Sequence, residues 1–152
     1  MSPSKVRLKT VAAKAEAIRT MVAAMETLPL TSEAEFAADA RMVAAGESFL
    51  RRSLEALLDL GRHVLAKGFG KVIPDYAAVA DELGARGLLP QESVAKLRLM
   101  ARYRNRMVHF YDEVTAPELY AILTDKRGDL LEVLAALETS LAAHPELCEE
   151  EL

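Results

Sequence analysis

An all-α fold, an antiparallel up-and-down bundle of four to five helices, is what this chain predicts. Three observations point there. The 152 residues are 51% hydrophobic but only 5% aromatic, without Trp. Ala, Leu, Glu and Arg dominate, and straight-chain residues lose little rotamer freedom in a helix. Apolar residues recur at steps of three and four, and no strand-like alternation runs beyond a few positions. The apolar content is too high for disorder. No apolar run reaches the roughly 18 residues of a bilayer span. The opening MSPSKVRLKT lacks the apolar stretch of a signal peptide. The single Cys148 allows no internal disulfide and fits a reducing cytoplasm. A net charge of −4 disfavours a generally basic nucleic-acid binder, but a local basic patch is enough for phosphate contact.

The elements follow in order. Leu8, Val11, Ala15, Ile18, Val22 and Met25 predict a first helix over about Ser4 to Thr27, before Pro29. Ser32 and Glu35 form a capping box for a long second helix, about Glu33 to Ala66, which Gly68 and Gly70 stop. Its main seam reads Phe36, Ala40, Val43, Glu47, Leu50, Leu54, Leu57, Gly61, Val64. That spacing of four and three is a coiled-coil-like seam interrupted by one acid, Glu47. A second stripe, Met42, Ala45, Phe49, Ala56 and Leu60, suggests a second packing partner, such as another subunit. Pro74 and Asp75 open a short helix through Leu83, with Gly84 and Gly87 after it. Pro90 suits a first helical position for a fourth helix to about Arg106. Thr115 and Glu118 cap a fifth, to about Ala143, which Gly128 weakens. Residues 1–143 form one domain, and 144–152 a frayed acidic tail.

Chemistry concentrates between Arg98 and Tyr111. Arg98, Arg102, Arg104, Arg106, His109, Tyr103 and Tyr111 fall within this stretch of an otherwise acidic chain. Histidine moves protons near neutral pH, and arginine holds phosphate at two points while staying charged. The pair suits phosphodiester cleavage without a metal. A plain solvated basic face is the competing reading. At 100° per residue, Arg98, Arg102, Asn105, Arg106 and His109 share one broad face, on which Arg98, Arg102 and Arg106 are the candidate RNA contacts. Arg104 instead points with Leu97, Met100, Ala101 and Val108, the stripe expected to be buried. An arginine there needs an acid or a cleft. Glu47, the acid that breaks the facing seam, is its expected partner. The three histidines show no ligand spacing, so neither a metal nor another cofactor is expected. Ser48, Ser53 and Ser93 lack a nucleophile context and read as ordinary helix serines.

The run Arg104-Asn105-Arg106-Met107-Val108-His109-Phe110-Tyr111 resembles the HepT-like family of the HEPN superfamily. It matches that family's Arg, four residues, His, any residue, Tyr. The resemblance extends over about Met42 to Leu137, through the long second helix, the Pro-Asp-Tyr helix start and the Tyr-Asp-Glu-Val exit. It implies a helical-bundle homodimer and a metal-independent endoribonuclease, the toxin of a toxin–antitoxin pair. The implied partner is a minimal nucleotidyltransferase antitoxin that attaches AMP to Tyr111. The implied catalytic pair is Arg104 and His109, with Asn105 and Glu47 supporting. An alternative of another class is a catalytically silent HEPN bundle that serves as a binding module for the same partner. A third reading is a plain structural helical dimer, which the arginine cluster disfavours.

Overall fold

A computed structural model describes residues 3–109 and 113–150. The proposed acceptor Tyr111 lies outside the described residues. Seven α-helices occur among the described residues, because two of the expected five are each broken in two.

Helix α1 spans Leu8–Met25 and buries Val11, Ala15, Ile18, Val22 and Met25. It begins four residues later than the periodicity predicts, because the preceding backbone is engaged elsewhere. Val6 donates its N–H to Leu147 (2.8 Å) and accepts from Glu149 (3.0 Å), and Ser4 donates to Lys67 (2.8 Å). The acidic segment expected to fray is therefore strapped to the start of the chain, beside a short 3₁₀ turn at Pro145–Leu147.

The long second helix is two helices, α2 (Glu33–Ala37) and α3 (Ala40–Phe69). Ser32 caps the first by accepting from Glu35 N–H (3.1 Å). The break lies at Asp39, with φ −116° and ψ 107°, whose carboxylate accepts from Arg41 N–H (3.0 Å). A short acid that bonds its own local backbone competes with helix continuation and restarts the helix as its N-cap. The 30 residues of α3 make a rod of about 45 Å. It is the central element, touching α1, α2 and each helix introduced below. Gly70 ends it at φ 67°, a left-handed conformation that glycine adopts without cost.

Helix α4 (Tyr76–Ala85) starts where expected, with Asp75 accepting from Ala77 N–H (2.9 Å). It approaches α3 closely at Gly61, where an added methyl would lie 2.7 Å from Val79 Cγ1. Helix α5 (Gln91–Val108) follows, and Pro90 is its N-cap residue rather than its first helical residue. The last expected helix is split into α6 (Ala116–Asp125) and α7 (Arg127–Ala143). The junction is Lys126 (ψ −5°), two residues before Gly128. Thr124 precedes it and donates its hydroxyl to the Tyr120 carbonyl (2.9 Å), a side-chain bond that loosens a helix end. The kink lets α6 pack on α2 and α3 while α7 packs on α1 and α5.

Contacts along the long helices fix their directions. Ser4 meets Lys67 near the end of α3, and Leu28 meets Gly46 near its start, so α1 and α3 are antiparallel. The core runs from Ile18 and Met25 through Leu54, Leu57, Leu58 and Leu65 to Leu97, Leu123 and Leu134, all essentially solvent-free. Buried Ser53 is satisfied by donating to Leu50 O (2.8 Å). No helix among the described residues is long and apolar enough to cross a membrane.

Candidate functional site

The end of α5 carries the site, and its two chemically central residues face different surroundings. His109 is the C-cap of α5, extended at φ −109° and ψ 115°, and donates its N–H to Arg106 O (3.3 Å). It is exposed at the edge of an open cavity of about 730 Å³. The start of α3 supplies one wall through Val43, Ala44 and Glu47, and the residues before α6 supply Glu113 and Val114. Arg106 lines the same cavity, but its guanidinium is clamped by Glu118, with Nη1 and Nη2 at 2.6 and 2.8 Å from the two carboxylate oxygens. That fork holds the Glu118 carboxyl below its ordinary pKa, the hydrogen bond from Arg106 being the largest cause. Arg106 therefore ties α5 to the first turn of α6, where Thr115 also caps (3.4 Å).

Arg104 does not line that cavity with His109. It turns toward α3 and α4, with its side chain only 26% exposed. Its Nε donates to Glu55 Oε1 (3.3 Å), its Nη1 to Asn105 Oδ1 (3.3 Å), and its guanidinium carbon lies 4.7 Å from the Tyr76 ring centroid. The sequence places Arg104 correctly on the buried side but names the wrong acid. Glu47 does not reach it. Glu47 is 39% exposed and pairs with Arg51 (3.4 Å), one turn along α3. Arg51 also approaches Glu55 (3.7 Å), so Glu47, Arg51, Glu55 and Arg104 form one row of alternating charge. The reason is reach: Glu55 is two turns further along α3, opposite the level where Arg104 crosses it.

Tyr76 is the other side of Arg104's seat. Its hydroxyl donates to Asp59 Oδ1 (2.5 Å), and the Arg62 guanidinium lies over its ring at 4.1 Å. Arg62 in turn approaches Asp59 (3.7 Å) and donates to the Pro74 carbonyl at the start of α4. Burial, and then the bond to Asp59, push the Tyr76 phenol up to about 12. The sequence reading assigns no role to Glu55, Arg51, Asp59 or Arg62. A signal was available: Glu47, Arg51, Glu55 and Asp59 recur every fourth residue along α3, starting from the acid that interrupts its apolar seam.

The remaining arginines separate. Arg98 is engaged by Asp81 of α4 (2.5 Å), which neutralises it locally. Arg102 is exposed. Of the second apolar stripe, Leu60 is buried, whereas Met42, Ala45, Phe49 and Ala56 are half-buried against the core. Among the described residues, no group of three His, Cys, Asp or Glu side chains could hold a metal ion.

The described residues thus form a helical bundle in which the long α3 supports an Arg-rich α5 that ends in histidine. Solved structures share this fold. A tri-AMPylated HEPN toxin of Shewanella oneidensis, in complex with an MNT antitoxin, matches with TM-score 0.77 at 17% identity, over 86% of this chain and 97% of that one. A toxin–antitoxin structure with AMP-PNP matches with TM-score 0.74 at 16% identity, over 84% and 97%. YutE, a cytosolic Bacillus subtilis protein of unknown function, matches with TM-score 0.75 at 16% identity, over 94% of each chain. These likenesses establish the fold. The family model "Ribonuclease HepT-like" matches residues 16–137, and the chain belongs to the HepT-like ribonuclease family. No curated protein sequence matches it.

Proposed function

We propose that this protein is a cytoplasmic, metal-independent endoribonuclease, the toxin of a toxin–antitoxin pair, acting as a homodimer. The observation that carries the reading is His109, exposed on the rim of an open cavity at the end of α5, with Arg104 five residues before it on the same helix, seated against Glu55 and Tyr76 outside that cavity's lining. In the proposed reaction a ribose 2′-OH attacks the adjacent phosphorus. The bond to the 5′ oxygen breaks, leaving a 2′,3′-cyclic phosphate and a 5′-OH. One His109 accepts the 2′-OH proton, and a second, from the other protomer, delivers a proton to the leaving oxygen. Arg104 stabilises the charge that grows on the phosphate oxygens, and Asn105 helps hold it. Glu47 lies on the cavity wall. Arg102 is the arginine best placed for RNA, since Arg98 and Arg106 are engaged by Asp81 and Glu118.

The partner we infer is a minimal nucleotidyltransferase that silences the toxin. The Tyr111 hydroxyl attacks the α-phosphorus of ATP, pyrophosphate leaves, and the attached AMP brings negative charge to the site where RNA phosphate must bind. Family membership and the AMPylated, antitoxin-bound relative support this reading.

The test is incubation of purified protein with total RNA in chelator, followed by end-group analysis. Cyclic phosphate ends that persist in chelator, and vanish in His109→Ala, are expected. Cleavage that requires magnesium would overturn the mechanism. A second reading, a silent bundle that only binds the partner, draws on the engagement of Arg104 by Glu55 and Tyr76. It predicts no cleavage with partner binding intact. Tyr111→Phe should stay an active nuclease that gains no AMP mass when incubated with partner and ATP.

A further inference from the structure

Arg104 is far more organised than an electrostatic residue needs to be. A guanidinium that only supplied charge could sit in solvent at the end of its side chain, as Arg102 does. Arg104 is held instead from three directions. Glu55 takes Nε, Asn105 takes Nη1, and Tyr76 supplies a flat face 4.7 Å from the guanidinium carbon. Each holder is itself held. Glu55 is steadied by Arg51, and Tyr76 by the Asp59 carboxylate, the Arg62 guanidinium and the close seating of α4 on Gly61. Planar guanidinium groups favour this combination of in-plane carboxylate and stacked ring, because the two contacts together fix position and tilt. These hydrogen bonds engage Nε and Nη1 of the guanidinium.

We propose that Glu55 and Tyr76 are positioning residues for Arg104: they set the orientation in which its guanidinium meets the scissile phosphate. The proposal deepens the ribonuclease reading and rests on it for the identity of that phosphate. A misplacement of the order of 1 Å at a group contacting the transition state costs about 100-fold in rate. Glu55→Ala and Tyr76→Leu are therefore expected to lower kcat about 10- to 100-fold, with KM for an RNA oligonucleotide changed much less. The conservative variants Glu55→Gln, which keeps an acceptor, and Tyr76→Phe, which keeps the ring, should recover much of that loss. A purely structural role would lower thermal stability in all four without this ordering of kcat.

The experiment pairs single-turnover cleavage with ¹⁵N NMR of the Arg104 Nε–H, assigned by its loss in Arg104→Lys. The full-length protein is used, and thermal melts confirm that each variant is folded. Expected is a sharp Arg104 signal in the wild type that shifts or broadens in Glu55→Ala and Tyr76→Leu, with a parallel loss of kcat. An Arg104 signal unchanged in both variants overturns the proposal, whatever the nuclease assay shows. A wild type that cleaves, with variants whose signal moves but whose kcat does not, overturns it too. A wild type that does not cleave, with a signal that responds to both variants, keeps the seat and removes the ribonuclease reading.

Discussion

Arg104 and His109 lie five residues apart on one helix, in opposite circumstances. Arg104 is three-quarters covered and bound by a carboxylate, an amide and a ring. His109 is exposed where α5 ends, at the edge of an open cavity. The difference fits what the proposed reaction asks of each group. A permanent charge in a partly desolvated place is costly unless it is compensated, so Arg104 has to be built into the bundle. An imidazole that exchanges protons must reach its substrate, and a helix end supplies that access. Within one motif, the scaffold thus covers one residue and exposes the other.

The comparison can be broken first at the chemistry. His109→Ala should reduce RNA cleavage by about 10²- to 10⁴-fold while the protein stays folded. Arg104→Ala should reduce cleavage comparably but also lower the melting temperature, since it leaves Glu55 half-buried with only Arg51 for company. An Arg104→Ala variant as stable as the wild type would contradict the contrast. Next in size is Gly61→Ala, whose methyl would lie 2.7 Å from Val79 Cγ1. Overpacking of this kind costs about 1–3 kcal/mol and should push α4, with Tyr76 at its start, away from Arg104. Thermal melts and cleavage assays on the same preparation would show stability and activity falling together.

A smaller effect separates the two acids of α3. A buried pair between Glu47 and Arg104 would make Glu47→Ala cost about 3–5 kcal/mol. Glu47 is instead a partly exposed partner of Arg51, so the expected cost is about 0.3–0.5 kcal/mol, well below that of Glu55→Ala. Denaturant titration of the two variants measures the ordering directly. The smallest effect is in pH. The Glu118 carboxyl is held below its ordinary value by Arg106, so the folded state binds fewer protons there than the unfolded chain. Its contribution is present above the ordinary carboxylate range and is lost as pH falls through the lowered value. Glu118→Gln should flatten the acid limb of the stability profile, and an unchanged limb would show that the clamp contributes nothing.

Much of the bundle was legible because helix formation is a local matter. The spacing of Val11, Ala15, Ile18, Val22 and Met25, the caps at Ser32, Asp75 and Thr115, and the stop at Gly70 all act within a few residues of where they stand. The breaks at Asp39 and Lys126 were missed although local signals exist there, because an uninterrupted apolar period outweighs a single competing side chain in a linear reading. What decided those points was the need for α2 and α6 to pack on each other and on α3 at once.

The site divides in the same way. By itself the sequence determined that Arg104 lies on the covered side of α5 and needs an acid or a cleft, and it ended that helix near Arg106, three residues short of His109. Helical phase and the cost of stranding a charge suffice for that. Only the tertiary structure decided that the acid is Glu55 rather than Glu47, and that Tyr76 lies under the guanidinium. Both choices depend on the level at which α5 crosses α3 and on how closely α4 seats at Gly61. A one-dimensional pattern records which face a residue occupies. The height at which two helices meet is set by packing between segments distant in the chain, and no local rule carries it.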